Sequence, residues 1–328
     1  MNQPISTALK NWIPYKLLPQ AKDQALCKWF YLSDETIAEP FFNDTISKCK
    51  KLLENSKLRS SVSDLTILPQ WASASETIAT TCIIFHVSRC GSTLLSQLLS
   101  LQKQNIVLSE VPFFDELLRY GKKNNNMQQI LLQLDAAIHL YGAKRNEEQQ
   151  HVFIKADSWH IHFYKELREL YPTVPFILLY RKPDEVIRSQ QKQRGMQAIP
   201  GLIEPELFGF NKEVIEKIAS IPFDEYMAMV LESYFSAFIH VLKNDSNAIA
   251  VNYNEGGMEI LQKTVSISKV EISADELLNM QQRAVFHAKY PDEKFNEDAL
   301  TDEVPTYLQN VFALYNELER MRNAATKI

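Results

Sequence analysis

Residues 80–98 read TTCIIFHVSRCGSTLLSQL, and this stretch decides the fold. Its first half is a run of β-branched and apolar residues that predicts a buried strand, and STLLSQL has the apolar spacing of a helix. A sharp turn at Gly91 joins the two. Many proteins hold a phosphate at such a junction, yet the GK(S/T) ending of an ATP or GTP loop is absent here.

The same alternation continues along the chain. Apolar strand-like runs lie at residues 105–110, 151–156, 174–180 and 248–254, and helical patterns separate them. Strands that are apolar on both faces and alternate with helices predict an α/β fold, in which a central parallel sheet is flanked by helices on both faces. Ligands of such sheets bind beyond the carboxyl ends of the strands, so the residues that follow each strand are the candidates.

The segment SRCGST, residues 88–93, follows the first of these strands and indicates an anion site. A helix begins here, and its first N–H groups and partial positive charge attract anions. Gly91 lets the backbone approach a ligand closely, and Ser92 and Thr93 add hydroxyl donors. Arg89 adds a planar cation that can grip two oxygens. For this stretch alone, an ordinary helix cap beside a chance arginine remains an alternative.

Charged and hydroxyl side chains follow the next three strands as well. Glu110 follows the second strand, and Lys155 ends the third. Arg181 ends the fourth, and Ser189 lies about two helical turns beyond it. Taken singly, each has a structural explanation, such as a helix-opening carboxylate or a lysine snorkelling from the sheet edge. Together they place cations and hydroxyls at one edge of one sheet with a carboxylate beside them, which predicts one anion-binding site.

The composition argues against several function classes. The 328 residues carry a net charge of −5, whereas nucleic-acid and anionic-membrane binders rely on basic surfaces. No run approaches the ~18 apolar residues of a membrane span and no signal-peptide core is seen, so we expect a cytoplasmic protein without a membrane span. The four cysteines lack metal-ligand spacing, and no HExxH or EF-hand pattern occurs. We therefore expect no metal, and the sequence indicates no oligomeric state.

Two segments resemble the motifs of the PAPS-dependent sulfotransferases, where PAPS is 3′-phosphoadenosine 5′-phosphosulfate. SRCGSTLL, residues 88–95, resembles the 5′-phosphosulfate loop of that family, and YRKPDEVIRS, residues 180–189, resembles its 3′-phosphate motif, R-D/N-P-x5-S. Arg181, Pro183 and Ser189 fall on the fixed positions of the second motif. The resemblance implies the P-loop-like sulfotransferase fold.

Three further segments resemble the family. SEVPFFD, from residue 109, is similar to the segment that carries a catalytic Glu in the glycan and protein-tyrosine branch, to which the chain is closer than to the cytosolic branch. FIKADSW takes the place of a K-T/S-P segment but lacks its proline, and AIAVNYNEGG is similar to a later V-x-Y-E-D-L strand. The R-K-G loop of cytosolic members is not recognisable, and Arg283 or Lys289 is the candidate for its role.

The resemblance implies PAPS as co-substrate, no metal, and a role for each matching residue. Arg89 and the backbone of residues 90–93 would hold the 5′-phosphosulfate, and Arg181 and Ser189 the 3′-phosphate. Arg89 would stabilise the departing oxygen, Lys155 would assist near the sulfuryl group, and Glu110 would take the acceptor's proton. His160 and His162 are the next candidates for this base. The predicted catalytic residues are Glu110, Arg89 and Lys155, and the predicted cofactor-binding residues are Arg89, Cys90, Gly91, Ser92, Thr93, Arg181, Ser189 and Arg283.

Residues 1–75 are not covered by the resemblance. We expect them to form a mostly helical N-terminal extension packed on a sulfotransferase-like α/β domain, residues 76–328. Residues 194–221 contain apolar and small residues where family members build substrate-binding insertions. The expected acceptor is a hydroxyl (or amine) of a small molecule, glycan or peptide, and the sequence does not identify it.

Three other functions remain open at this point. An atypical P-loop kinase would bind ATP and Mg²⁺, although no GK(S/T) segment is present to anchor the metal. A regulatory or interaction module would bind PAPS or its product 3′-phosphoadenosine 5′-phosphate (PAP) without catalysis. A non-enzymatic α/β scaffold would leave the paired phosphate motifs without a purpose.

Overall fold

The computed structural model describes residues 9–20, 24–37, 39, 41–56, 61–284 and 304–325. The chain divides into two compact units. The first unit comprises Met1–Cys82, Ser96–Ala156 and Glu166–Pro172, and the second unit comprises Ile83–Leu95, Asp157–Lys165 and Thr173–Ile328. The domain boundary at residue 76 stays a prediction.

The N-terminal part of the first unit contains a small antiparallel sheet as well as helices. Its strands are β1 (Trp12–Pro19), β2 (Ala25–Tyr31) and β3 (Val62–Asp64), in the order β1-β2-β3. Helices α1 (Phe42–Cys49) and α2 (Ile67–Ser73) accompany them. The expected mostly helical extension is therefore corrected to a mixed one. Two prolines and a bulge between Pro14 and Lys16 hide the strand pattern of β1 from sequence reasoning.

The predicted α/β fold class is confirmed, because five strands form a central parallel sheet with helices around it. These strands are β4 (Thr80–His86), β5 (Asn105–Ser109), β6 (His151–Lys155), β7 (Phe176–Tyr180) and β8 (Ala248–Asn252). Their order in the sheet is β5-β6-β4-β7-β8. All five coincide with the apolar runs of the sequence, and β5 and β7 are buried along their whole length, as parallel strands covered on both faces are.

The helices of the first unit after the N-terminal part follow the predicted pattern. Polar residues 124–126 separate the helices Pro112–Lys123 and Met127–Tyr141, and Pro112 occupies the first turn of the former, where its missing N–H does no harm. The helices that lie in this unit wholly or largely are α3 (Ser92–Ser100, whose first four residues belong to the second unit), α4 (Pro112–Lys123), α5 (Met127–Tyr141) and α6 (Tyr164–Leu170).

The longest helix of the described residues, Phe223–Asn244, lies in the second unit. It carries ten buried residues, among them Tyr226, Tyr234 and Phe235. Its apolar face supplies much of the core of this unit. The helices are α7 (Pro183–Lys192), α8 (Lys212–Lys217), α9 (Phe223–Asn244), α10 (Gly257–Ser268), α11 (Ala274–Ala284) and α12 (Gln309–Ala325). Among the described residues, no helix has both the length and the apolar composition needed to cross a membrane.

Candidate functional site

The loop between β4 and α3 has an unusual backbone. Ser88, Arg89 and Gly91 have φ values of 64°, 53° and 80°, in the left-handed region that non-glycine residues avoid. Such residues cost of order 1–3 kcal/mol each and cluster at functional sites. Consecutive backbone N–H groups in such turns form concave anion sites, and the first N–H groups of α3 follow directly. We call residues 88–93 the phosphate loop.

The side chains of Arg89 and Ser189 contact each other within the second unit. Arg89 Nε donates a hydrogen bond of 2.8 Å to Ser189 Oγ, although the two residues are 100 positions apart in sequence. Arg181 Nη1 donates to the carbonyl oxygen of Arg89 at 3.5 Å. The structure therefore brings together three residues that sequence reasoning assigned to one anion site, and it joins the two segments that carry the predicted phosphate motifs.

Two residues that sequence reasoning missed hold Arg181. Its Nε donates to Glu185 Oε2 at 2.7 Å, and the two side chains are only 12% and 9% exposed. The Tyr253 ring lies under the guanidinium, 4.3 Å from its central carbon. Glu185 lies in the first turn of the helix that follows Arg181, and Tyr253 directly follows β8, so position just after a strand was the available signal.

Gly91 serves packing as well as backbone conformation. A Cβ at this position would lie 2.6 Å from Cε2 of Tyr253, too close for any real contact. The sequence predicts that Gly91 admits a ligand, and the structure adds that it admits the Tyr253 ring. Tyr253 therefore contacts both the phosphate loop and Arg181.

The remaining phosphate-loop residues differ in what they expose. Ser92 is 5% exposed and Cys90 fully buried, while Thr93 is half-buried in the first turn of α3. The Cys90 thiol donates to the carbonyl oxygen of Leu179 at 3.5 Å, which ties the loop to β7. This contact gives Cys90 an anchoring role, so only its backbone is available for the predicted ligand binding.

A partly buried network at the carboxyl ends of β7 and β8 supports the segment that carries Tyr253. Glu319 accepts hydrogen bonds from Tyr180 and Asn252 and pairs with Arg322. Arg322 also pairs with Glu255 at 3.2 Å. Burial alone would raise the pKa of Glu319, but the hydrogen bonds from Arg322, Tyr180 and Asn252 hold that pKa below its usual value. The C-terminal helix α12 therefore fixes the strand ends that precede Arg181 and Tyr253.

Glu110 and Lys155 form an ion pair in the first unit. Lys155 Nζ lies 2.8 Å from Glu110 Oε1, and the Lys155 side chain is 1% exposed against 29% for Glu110. The Glu110 backbone N–H also donates to the Lys155 carbonyl oxygen at 2.8 Å, and Glu110 has a φ of 51°. Lys155 Nζ lies 5.5 Å from the centre of the Phe41 ring. The pair thus holds one carboxylate in one orientation, on a strained backbone.

Hydrogen bonds assign the ring protons of His160 and His162, which stay predicted alternatives to Glu110 as the base. His160 Nδ1 accepts the Asp157 backbone N–H at 3.3 Å, so the neutral ring carries its proton on Nε2, 3.6 Å from the Asp157 carboxylate. Ser233 donates its only hydroxyl proton to Phe208, so its contact with His162 Nε2 at 3.1 Å requires that nitrogen to donate.

Arg283 lies in the last turn of α11 and is half-buried. Burial lowers the pKa of its guanidinium. Its predicted contact with the 3′-phosphate stays a prediction. Lys289, the other candidate for that role, lies outside the described residues.

Comparison with known proteins gives distant likenesses. No family model matches the chain, and no curated protein matches its sequence. Solved structures similar to it include a sulfotransferase from Mycobacterium avium, with 12% identity over 75% of this chain and 78% of that chain and a TM-score of 0.47. A sulfotransferase from Alicyclobacillus acidocaldarius has 14% identity over 75% and 95%, with a TM-score of 0.44. A mouse sulfotransferase complexed with PAP has 12% identity over 79% and 89%, with a TM-score of 0.37. Likenesses at this level identify neither the reaction nor the ligands of this chain.

Proposed function

We propose that this chain transfers a sulfuryl group from PAPS to the hydroxyl of a small-molecule, glycan or peptide acceptor. The observation that carries the proposal is the 2.8 Å hydrogen bond from Arg89 to Ser189. It joins the segment that resembles a phosphosulfate loop to the segment that resembles a 3′-phosphate motif. A ligand with anionic groups at both its 5′ and 3′ positions suits such a paired arrangement.

The phosphate loop is assigned to the 5′-phosphosulfate. Its left-handed backbone and the first N–H groups of α3 supply donors, and Ser92 and Thr93 add hydroxyls. Arg89 supplies positive charge for the bridging oxygen, on which negative charge grows as the sulfur leaves it.

Arg181 and Ser189 are assigned to the 3′-phosphate. Glu185 holds the Arg181 guanidinium at one edge, and the Tyr253 ring lies against one of its faces. An arginine fixed in this way loses little conformational entropy when it binds an anion, which favours affinity. Arg283 is kept as a further candidate for this end of the ligand.

Glu110 is assigned as the base. The acceptor oxygen forms a bond to sulfur, the bond from sulfur to the bridging phosphate oxygen breaks, PAP leaves, and the acceptor's proton goes to the Glu110 carboxylate. Because Lys155 is paired with Glu110, we assign to Lys155 the orientation of that carboxylate. Positioning and positive charge dominate such transfers, so the proposal includes no metal-dependent step.

Thermal unfolding with added PAP, or with ATP and Mg²⁺, tests the proposal. A ligand that binds only the folded state stabilises it by about 2.7 kcal/mol at a hundredfold excess over its Kd. We expect stabilisation by PAP. Stabilisation by ATP and Mg²⁺ alone would support the kinase and contradict the proposal. Stabilisation by PAP without sulfuryl transfer from PAPS to phenolic, carbohydrate or tyrosine-peptide acceptors would support a binding module instead.

A further inference from the structure

Gln190, next to Ser189 on α7, has no role in the proposed chemistry, yet it is fully buried. Its side-chain Oε1 accepts the Gly195 backbone N–H at 2.8 Å, and its Nε2 lies 3.4 Å from Ser88 Oγ. Because a backbone N–H can only donate, the atom facing Gly195 must be the oxygen, and the amide nitrogen must face Ser88. One buried amide therefore links the phosphate loop to the chain beyond α7.

The loop end of this link is the strained end. Ser88 has a φ of 64°, and its N–H donates to Nδ1 of the buried His86 at 3.0 Å. The Ser88 side chain thus has a fixed place only while the backbone around it keeps its left-handed conformation. An anion that binds the loop would hold this conformation.

The other end of the link is the start of the predicted acceptor-binding insertion. Gly195 begins the short 3₁₀ helix Met196–Ala198, and the side chain of Gln197 occupies the space that a Cβ at Gly195 would take. Arg194 pairs with Asp224 at 3.0 Å, so the segment is also tied to the first turn of α9. Residues 195–198 therefore have few ways to move independently of Gln190.

We propose that Gln190 is a positioning residue that couples occupancy of the phosphate loop to the order of residues 195–198. The inference rests on the proposed function, because it takes PAP or PAPS as the loop's ligand. A ligand that fixes Ser88 fixes the Gln190 amide, since a buried amide group left without its partner is unfavourable. The fixed amide then holds the Gly195 N–H. Coupling of this kind is reciprocal. If PAP raises the affinity of residues 195–198 for a second molecule, that molecule raises the affinity for PAP by the same factor.

Hydrogen exchange of the full chain, with and without saturating PAP, tests the coupling. We expect PAP to slow exchange in peptides spanning residues 194–199 by about fivefold or more, the lower end of typical coupling between sites. Gln190→Met removes both hydrogen bonds and should abolish the PAP-dependent slowing. Ser88→Ala removes the loop end of the link alone and should abolish it too, which keeps the test valid if Gln190→Met does not fold.

Gln191→Met is the matched control. Gln191 Nε2 donates to Asp224 at 2.7 Å, so this variant breaks a contact between α7 and α9 but leaves the link to Ser88 intact. It should keep the slowing. Slowing that persists in Gln190→Met or Ser88→Ala would overturn the inference, as would PAP binding without any slowing at residues 194–199. Absence of PAP binding would instead overturn the proposed function, and the inference with it.

Discussion

Arg89 and Glu110 each follow a strand of the central sheet on a left-handed backbone, yet different contacts hold their side chains. Arg89 donates to the hydroxyl of Ser189, whereas Glu110 pairs with the buried ammonium of Lys155. A guanidinium that contacts the second predicted phosphate motif suits the anion site that we propose. A carboxylate held by a lysine suits a group that must keep one orientation. The contrast thus separates the proposed binding region from the region that we propose positions a proton acceptor.

The largest expected effect is on turnover in Glu110→Gln. The amide cannot take the acceptor's proton, so we expect kcat to fall by about 10²–10⁴ while PAP affinity stays within about twofold. Steady-state kinetics and PAP titration measure the two quantities. Full turnover in this variant would remove Glu110 from the role of base.

The next effect is on the stability of the same variant, and it separates the chemical role of Glu110 from a structural one. Glu110→Gln also leaves the buried Lys155 ammonium without its carboxylate, so we expect a loss of about 2–3 kcal/mol in the free energy of unfolding. This is less than the ~3–5 kcal/mol of a fully buried pair, because Glu110 is 29% exposed. Urea unfolding measures the loss.

The double variant Glu110→Gln with Lys155→Met is the control for that effect. It removes both charges, so it should recover much of the stability. It should not recover turnover. If turnover returns along with stability, Glu110 acts only by balancing Lys155, and the contrast between the two regions fails.

Arg181→Ala tests the binding region. A charge-assisted hydrogen bond contributes ~1.5–3 kcal/mol, so PAP affinity should fall by about one to two orders of magnitude. Arg188→Ala is the matched control, because Arg188 lies on α7 and pairs with Asp184. Calorimetric titration should show unchanged affinity in the control. Unchanged affinity in Arg181→Ala would place the 3′-phosphate elsewhere.

Sequence reasoning reached Arg89 and Arg181 because both directly follow strands, and a parallel sheet gathers such strand ends at one edge. Ser189 was reached because it lies about two helical turns beyond Arg181. The strands of the central sheet could also be predicted from the sequence, since runs such as VPFILLY are apolar throughout.

What the sequence hid depends on contacts between segments that no spacing rule connects. Tyr253 fills the space beside Gly91, and the Cys90 thiol reaches Leu179, in both cases between different strand ends. The antiparallel pairing of β1 was hidden by its prolines and its bulge. The charge match of Lys155 with Glu110 was hidden because either residue, read alone, has an ordinary explanation at a helix start or a sheet edge.

The smallest expected effect is on PAP affinity in Tyr253→Leu. It tests whether the binding region depends on an Arg181 guanidinium that is held in place before PAP binds. Tyr253→Leu removes the ring beneath the guanidinium, and a cation–π contact of ~0.5–1 kcal/mol converts to a two- to fivefold loss of PAP affinity. Phe312→Leu is the matched control, because the Phe312 ring lies 5.8 Å from the ammonium of the neighbouring Lys182 and leaves Arg181 untouched. Equal losses in the two variants would mean that general packing, not the fixed guanidinium, sets the affinity. A loss confined to Tyr253→Leu would show that the binding region relies on a fixed guanidinium, which the Tyr253 ring holds together with the Glu185 carboxylate.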